Sequence, residues 1–188
     1  MAYPDNESFL YVIAGGETLK MLDKLKADAD TAKKNLEKMA QDWGAQISFD
    51  PCDSLFTFTG AVPAGWEKRE MRGGPLFSPD ESTKEGRKIS SEIGWTKRKM
   101  DLSFQFSEAC AKHCGTSRCN GNVYSFEQIG DKIVVRCPPD YRGSGQPTQY
   151  FIPPDSTPIT FSAYAKMKED AGLLPVPVVN VFKEKFKF

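Results

Sequence analysis

The chain has 188 residues, 25 Lys plus Arg against 25 Asp plus Glu, 39% hydrophobic and 27% charged residues. That length fits one ordinary domain with a real core, and that composition excludes a disordered chain. Zero net charge excludes a protein that works mainly by bulk attraction to nucleic-acid backbone, and equally a strongly acidic nucleic-acid mimic; a local patch stays open.

No stretch approaches the ~20 apolar residues of a membrane span. The apolar run from Phe9 to Ala14 follows acidic Asp5 and Glu7 and leads straight into a helix, unlike a secretory signal. Five cysteines, an odd number, without an export signal read as reduced thiols. The expectation is a cytoplasmic protein with no membrane partner.

Residues 8–14 (SFLYVIA) form an apolar, β-rich run that reads as a buried strand. From Gly16 to Gly44, Leu22, Leu25, Ala29, Ala32, Leu36, Met39 and Trp43 recur at spacings of three and four. That pattern predicts one long helix with an apolar seam, freed by Gly15 and Gly16 and stopped by Gly44. Ala29 and Ala32 at the seam's centre suit an intramolecular groove better than a coiled-coil dimer, so a monomer is expected over a dimer.

Residues 45–50 and 54–59 predict two strands broken by Pro51-Cys52-Asp53, with Phe56 and Phe58 on one face. From Gly60 to Pro79 the density of Gly and Pro predicts loop, with one short strand around Leu76-Phe77. Ser82 followed by Glu85 is a capping-box spacing, predicting a helix from about Thr83 to Ile93 that carries Gly86 within it. A further helix is expected over 102–114, with Leu102, Phe106, Ala109, Cys110 and His113 on one stripe and Gly115 as its stop.

Residues 123–128 and 132–137 flank Ile129-Gly130-Asp131 as a β-hairpin. Residues 140–147 (DYRGSGQP) read as a polar loop, 150–152 as a short strand, and 161–170 as a helix. Residues 176–182 read as an edge strand interrupted by Pro177, and the tail KEKFKF as amphipathic and basic. The expected fold is a single α+β domain over 1–188: a mainly antiparallel sheet packed against the long N-terminal helix and two or three shorter helices. Residues 75–83 and 150–157 echo each other, each coupling an apolar run to Pro-Asp and then Ser/Thr, a spelling that shared turn and cap chemistry explains.

The segments VPAGWEKRE (62–70), LFSPDESTKEGRKI (76–89) and IPPDSTPITFSAYAKMKE (152–169) together resemble small uncharacterised accessory proteins of tailed phages and prophages. The resemblance implies a cytoplasmic protein made during infection that acts by binding or inhibiting a host component. It carries over no catalytic residue.

Cys110, His113, Cys114 and Cys119, with Cys137 on the hairpin, are the densest set of soft ligands. Cys110 and Cys114 share a helix face, so three of these plus Cys137 would make a tetrahedral zinc site. No C-x2-C knuckle is present, and buried thiols acting as small apolar residues are the favoured reading, with no cofactor. His113 is the only base available to a nucleophilic cysteine, and a Cys–His pair on one helical turn is poorly placed to attack a substrate. No phosphate-binding or dinucleotide glycine motif is present.

Residues 66–99 hold nine Lys and Arg against six Asp and Glu, with Trp66 and Trp95 among them. Trp66, Lys68, Arg69, Arg72, Arg87, Lys88, Trp95, Lys97 and Arg98 are therefore the candidate binding residues. Trp and Arg anchor protein interfaces, and indoles beside cations also stack on bases next to phosphates. The expected function is a non-catalytic binding protein whose partner is a host protein, with a nucleic acid or nucleotide as the alternative.

Overall fold

The computed structural model describes residues 9–49, 54–71, 74–116, 123–141 and 147–173. The chain runs β1 (Leu10–Ile13), α1 (Gly16–Asp42), β2 (Gln46–Phe49), β3 (Ser54–Thr57), β4 (Trp66–Met71), β5 (Gly74–Pro79), α2 (Lys84–Met100), α3 (Leu102–His113), β6 (Ser125–Ile129), β7 (Lys132–Cys137), β8 (Pro139–Tyr141), β9 (Pro147–Tyr150), β10 (Thr157–Ile159) and α4 (Phe161–Asp170). Every strand pair is antiparallel. The fold is α+β, with one long N-terminal helix and shorter ones after it. Two compact units share the chain, Leu22–Gln105 and Met1–Met21 with Phe106–Phe188, and their boundaries fall within α1 and α3.

In the unit Leu22–Gln105 the sheet order is β2-β3-β5-β4. Side chains alternate across it, and Phe56 and Phe77 face each other on the covered side. That side joins Leu36 and Ala40 of α1 and Ile89 and Ile93 of α2 in one core with Trp66, and Met39 and Trp43 pack against it. The C-terminal half of the predicted seam is therefore core of its own unit. Aromatic rings fill its middle: Trp66 lies 5.7 Å from Trp43, 5.1 Å from Phe56 and 5.0 Å from Phe58 by ring centroids.

β4 is the element that sequence patterning misses, since 60–79 reads as loop. Its WEKREM composition has little β-propensity, but it is an edge strand paired from Trp66↔Pro79 to Met71↔Gly74. Only Trp66 is buried in it, and the charges that conceal the strand suit an edge that must not recruit another chain.

α2 is also longer than expected. Thr83, not Ser82, is its N-cap, with Oγ1 accepting the Gly86 N–H at 3.0 Å. The helix continues through Gly94 to Met100, seven residues beyond Ile93, because Gly94 at a surface position costs only about 1 kcal/mol. Gly86 has a different role. A Cβ there would overlap the carbonyl oxygen of Asp80, so only glycine lets the approaching chain lie against the helix.

Three helices stop in one way. Gly44, Gly115 and Gly172 have φ of 73°, 75° and 67°, and the next residue's N–H returns to a carbonyl five residues back: Ala45 to Ala40, Thr116 to Ala111, Leu173 to Lys168. The glycine N–H bonds the carbonyl three back in each case, completing the Schellman pattern that Gly44 and Gly115 announce in sequence.

In the other unit the sheet order is β10-β1-β7-β6. Tyr11, Ile129 and Val134 form a core with Tyr164 of α4, joined by Phe9, Ile159, Phe161 and Met167. Val12 and Val135 are register partners on the opposite face and fully buried. Phe106 of α3 meets Phe126 on that face at 4.8 Å. The β6–β7 hairpin turns at Gly130-Asp131, with φ of 63° at Gly130, one residue tighter than read from sequence.

The start of α1 is fastened from a distance. Thr18 Oγ1 donates to the Pro154 carbonyl, and the Asp155 carboxylate accepts the Glu17 N–H at 3.4 Å. Gly15 has no room for a Cβ against the Asp155 carbonyl. The Pro-Asp echo ends here: after β5 it leads into α2, whereas after Asp155 it leads into β10, and Thr160 caps α4. Residues 176–182 and the tail lie outside the described residues.

Leu36 is fully buried. We expect Leu36→Ala to cost about 2–5 kcal/mol in chemical denaturation, and Leu36→Glu to abolish the cooperative transition by burying an unpaired carboxylate. A dimer that Leu36→Glu converts into a folded monomer would show instead that the seam is an interface.

Candidate functional site: the outer face of α2

The packing of α2 decides which residues it presents. Gly86, Ile89 and Ile93 are its buried residues. At 100° per residue, Lys84, Lys88, Trp95 and Lys99 fall within a sector of about 60° on the opposite side. Ser91 and Arg98 lie beside that sector and Arg87 at its margin, and all seven are exposed. Glu85 and Glu92 occupy the other flank. The result is a basic ridge with one indole at its centre.

Trp95 is 63% exposed, the most exposed aromatic ring among the described large hydrophobic residues. The Arg98 guanidinium lies 4.1 Å from the Phe104 ring centroid and 6.0 Å from that of Trp95, so an aromatic support holds the cation beside the indole. Arg87 donates to the carbonyls of Glu81 at 3.0 Å and Ser82 at 3.2 Å, turning its charge toward the helix start. Lys88 pairs with Glu92 at 3.9 Å, an exposed i,i+4 contact of the kind worth a few tenths of a kcal/mol and readily exchanged for another anion.

The other sequence candidates are distributed differently. Trp66 is a core residue, and its buried Nε1–H has no hydrogen-bond partner among the described residues. Lys68 and Arg69 follow each other on β4 and so point to opposite faces of the sheet. Each is paired on its own strand, Lys68 with Glu70 at 2.7 Å and Arg69 with Glu67 at 2.5 Å. Lys97 is half-buried on the flank of α2 nearer the core. Arg72 lies outside the described residues. The structure thus gathers Arg87, Lys88, Trp95 and Arg98 on one face and adds Lys84 and Lys99 to them.

A shallow cleft of about 530 Å³ is lined by Glu67, Arg69, Ser78, Pro79, Asp80, Glu81 and Ser82. Its carboxylates are engaged locally. Glu67 Oε1 accepts from Ser78 at 3.2 Å, Glu81 Oε1 from Ser90 at 2.8 Å, and Asp80 Oδ1 from the Ser82 hydroxyl at 2.6 Å and N–H at 3.0 Å. The Ser82 hydroxyl and N–H bonds hold the Asp80 carboxyl below its ordinary value. A carboxylate kept ionised and so engaged is a turn anchor rather than a proton carrier.

Among the described residues, no group of three or more His, Cys, Asp or Glu is disposed to hold a metal ion. Cys110 and Cys137 are buried, whereas His113 and Cys114 are exposed, and Cys119 lies outside the described residues. Burial pushes the Cys137 thiol up to about 12, and the Cys114 Sγ–H donates to the Ile152 carbonyl at 3.7 Å. Cys137 thus packs as a small neutral side chain, and Cys110 is likewise fully buried. No helix among the described residues is long and apolar enough to cross a membrane.

One polar cluster escapes sequence reading. Glu127 of β6 accepts from the Tyr164 hydroxyl at 2.5 Å and pairs with Lys168 at 2.6 Å. Tyr164 stacks on Tyr11 at 4.4 Å. Burial and the Glu127 bond raise the Tyr164 hydroxyl above its ordinary value. Tyr164 and Lys168 stand four apart on α4, a spacing that identifies a shared helix face but not the strand carboxylate across from it.

Compared with protein-family models, with curated proteins and with solved structures, the chain matches none of them.

Burial opposes ionisation of Glu127, but the bonds from Lys168 and Tyr164 and the Lys168 charge outweigh it, so its carboxyl sits below the usual glutamate value. Its contribution to stability is therefore complete above the unfolded value and is lost as pH falls through the lowered folded one. Thermal melts from roughly pH 5 to 3 should show a steeper decline for the wild type than for Glu127→Gln. Equal slopes would mean that the cluster does not couple folding to protonation.

Proposed function

We propose that the protein is a non-catalytic binding protein whose recognition surface is the outer face of α2 and whose partner is an anionic macromolecule. The observation that carries this reading is Trp95, 63% exposed amid Lys84, Lys88, Arg98 and Lys99. An indole left in water on a folded domain gains by being covered, and cations around it select an anionic cover. The resemblance to phage accessory proteins supports a host component in the cytoplasm as the partner. An acidic protein surface and a nucleic acid both meet the chemical requirement.

The reading predicts where polyanion affinity resides. On a heparin column, the triple variant Lys84→Glu/Lys88→Glu/Lys99→Glu should elute at less than half the salt needed for the wild type. Lys20→Glu/Lys24→Glu, reversing two exposed lysines of α1, should leave elution nearly unchanged. Equal shifts for both variants would mean that α2 holds no special surface.

A further inference from the structure

Resting on that reading, we infer that the α2 face is built for a single-stranded nucleic acid, with one base stacked on Trp95 and the backbone carried along Lys84, Lys88, Arg98 and Lys99.

Three features of the face point that way. The first is what surrounds the indole. Protein interfaces centre on several adjoining apolar side chains and are depleted in lysine. Here Trp95 is the one large apolar residue of the sector, and three of the four residues in the sector are lysines. Lysine is a mobile point charge suited to phosphate, and an isolated flat ring is suited to a base, which has a π-face whatever its identity.

The second feature is the fixed cation beside the ring. Arg98 rests on Phe104 at 4.1 Å, with its guanidinium 6.0 Å from the Trp95 centroid. A base on the indole would therefore have a held cation at its edge, where the phosphate of the same nucleotide lies. Lys99 stands one turn beyond Trp95, and Ser91 one turn before it offers a hydroxyl. From Lys84 to Lys99 the face extends about 22 Å at 1.5 Å per residue, a track for several nucleotides.

The third feature separates single strand from duplex. A helix seated in a major groove has a phosphate backbone along each flank. The flanks of α2 are unlike: Arg87 and Arg98 lie on one side, Glu85 and Glu92 on the other. A duplex would bring one backbone against both glutamates, whereas a single strand carried along the ridge passes only Glu92, where Lys88 pairs with it. A duplex also hides the base faces that Trp95 requires, unless it is unstacked at a cost.

The test uses the full chain in fluorescence anisotropy against three probes: a fluorescein-labelled 20-nucleotide oligo-dT, a mixed-sequence 20-base-pair duplex, and a labelled oligo-glutamate peptide. We expect oligo-dT to bind at least tenfold more tightly than the duplex, with a log–log salt slope of about −3 for four phosphate contacts. Trp95→Ala should weaken oligo-dT binding about tenfold and leave the slope unchanged. Lys84→Glu/Lys88→Glu should reduce the slope. All three positions are exposed, so circular dichroism should show every variant folded.

Duplex binding as tight as oligo-dT overturns the single-strand assignment, and an unchanged affinity in Trp95→Ala overturns the stacking role. Binding of oligo-glutamate alone overturns nucleic acid and leaves the α2 surface standing as a protein site. No binding to any of the three overturns both.

Discussion

The close passage of the Asp80 backbone over Gly86 governs the rest of this unit. Without a Cβ at residue 86 the chain leaving β5 can lie directly on the first turn of α2, and Thr83 then caps that turn. The contact fixes the rotation of α2 about its own axis. Ile89 and Ile93 follow Gly86 at spacings of three and four, so the rotation that admits the crossing also drives both into the core. A register change of one residue would turn the helix by about 100° and carry either Glu85, Lys88 and Glu92 or Arg87 toward the aromatic core, where unpaired charge is costly. The ridge around Trp95 is therefore a by-product of a steric decision made two and a half turns earlier.

That dependence explains how two tryptophans from one stretch of sequence come to opposite ends. Composition cannot distinguish Trp66 from Trp95, because both lie among charges. Trp66 enters the core because it begins an edge strand paired to Pro79, and that pairing is non-local information. Its neighbours Glu67, Lys68, Arg69 and Glu70 give no alternating apolar signal. Trp95 follows Ile93 by two residues, a turn of about 200°, and leaves the buried face only because the helix continues past Ile93, where the sequence reading ends it. The capping pattern was readable to within one residue, and Gly94 concealed how far the helix ran.

The parts that sequence does reveal are those in which local chemistry and tertiary contact agree. Gly44 and Gly115 end helices because αL backbone and the returning N–H bonds are local events, and α4 has the bounds read from the sequence. The seam of α1 was readable because its period is long and its outer faces are charged. The Tyr164–Glu127–Lys168 cluster was not, because the carboxylate and its two donors are 37 or more residues apart and meet only through sheet register. Candidate chemistry in the cysteines was a matter of spacing alone, and burial divides Cys110 and Cys137 from Cys114 and His113.

Zero net charge is compatible, for a physical reason, with the recognition surface proposed on α2. Screening at physiological ionic strength confines each exposed charge to about 8 Å, so a partner approaching α2 feels the ridge and not the sum over the chain. Within that radius the sign is set by which side of α2 the partner uses, since Glu85 and Glu92 share one flank and Arg87 and Arg98 the other. Neutral totals then suppress indiscriminate attraction to polyanions elsewhere on the surface, so the proposed contact would depend on the ridge and the indole together. Charge alone would hold many anions loosely there. The exposed ring of Trp95 adds a term that does not fade with salt and favours only those able to cover it.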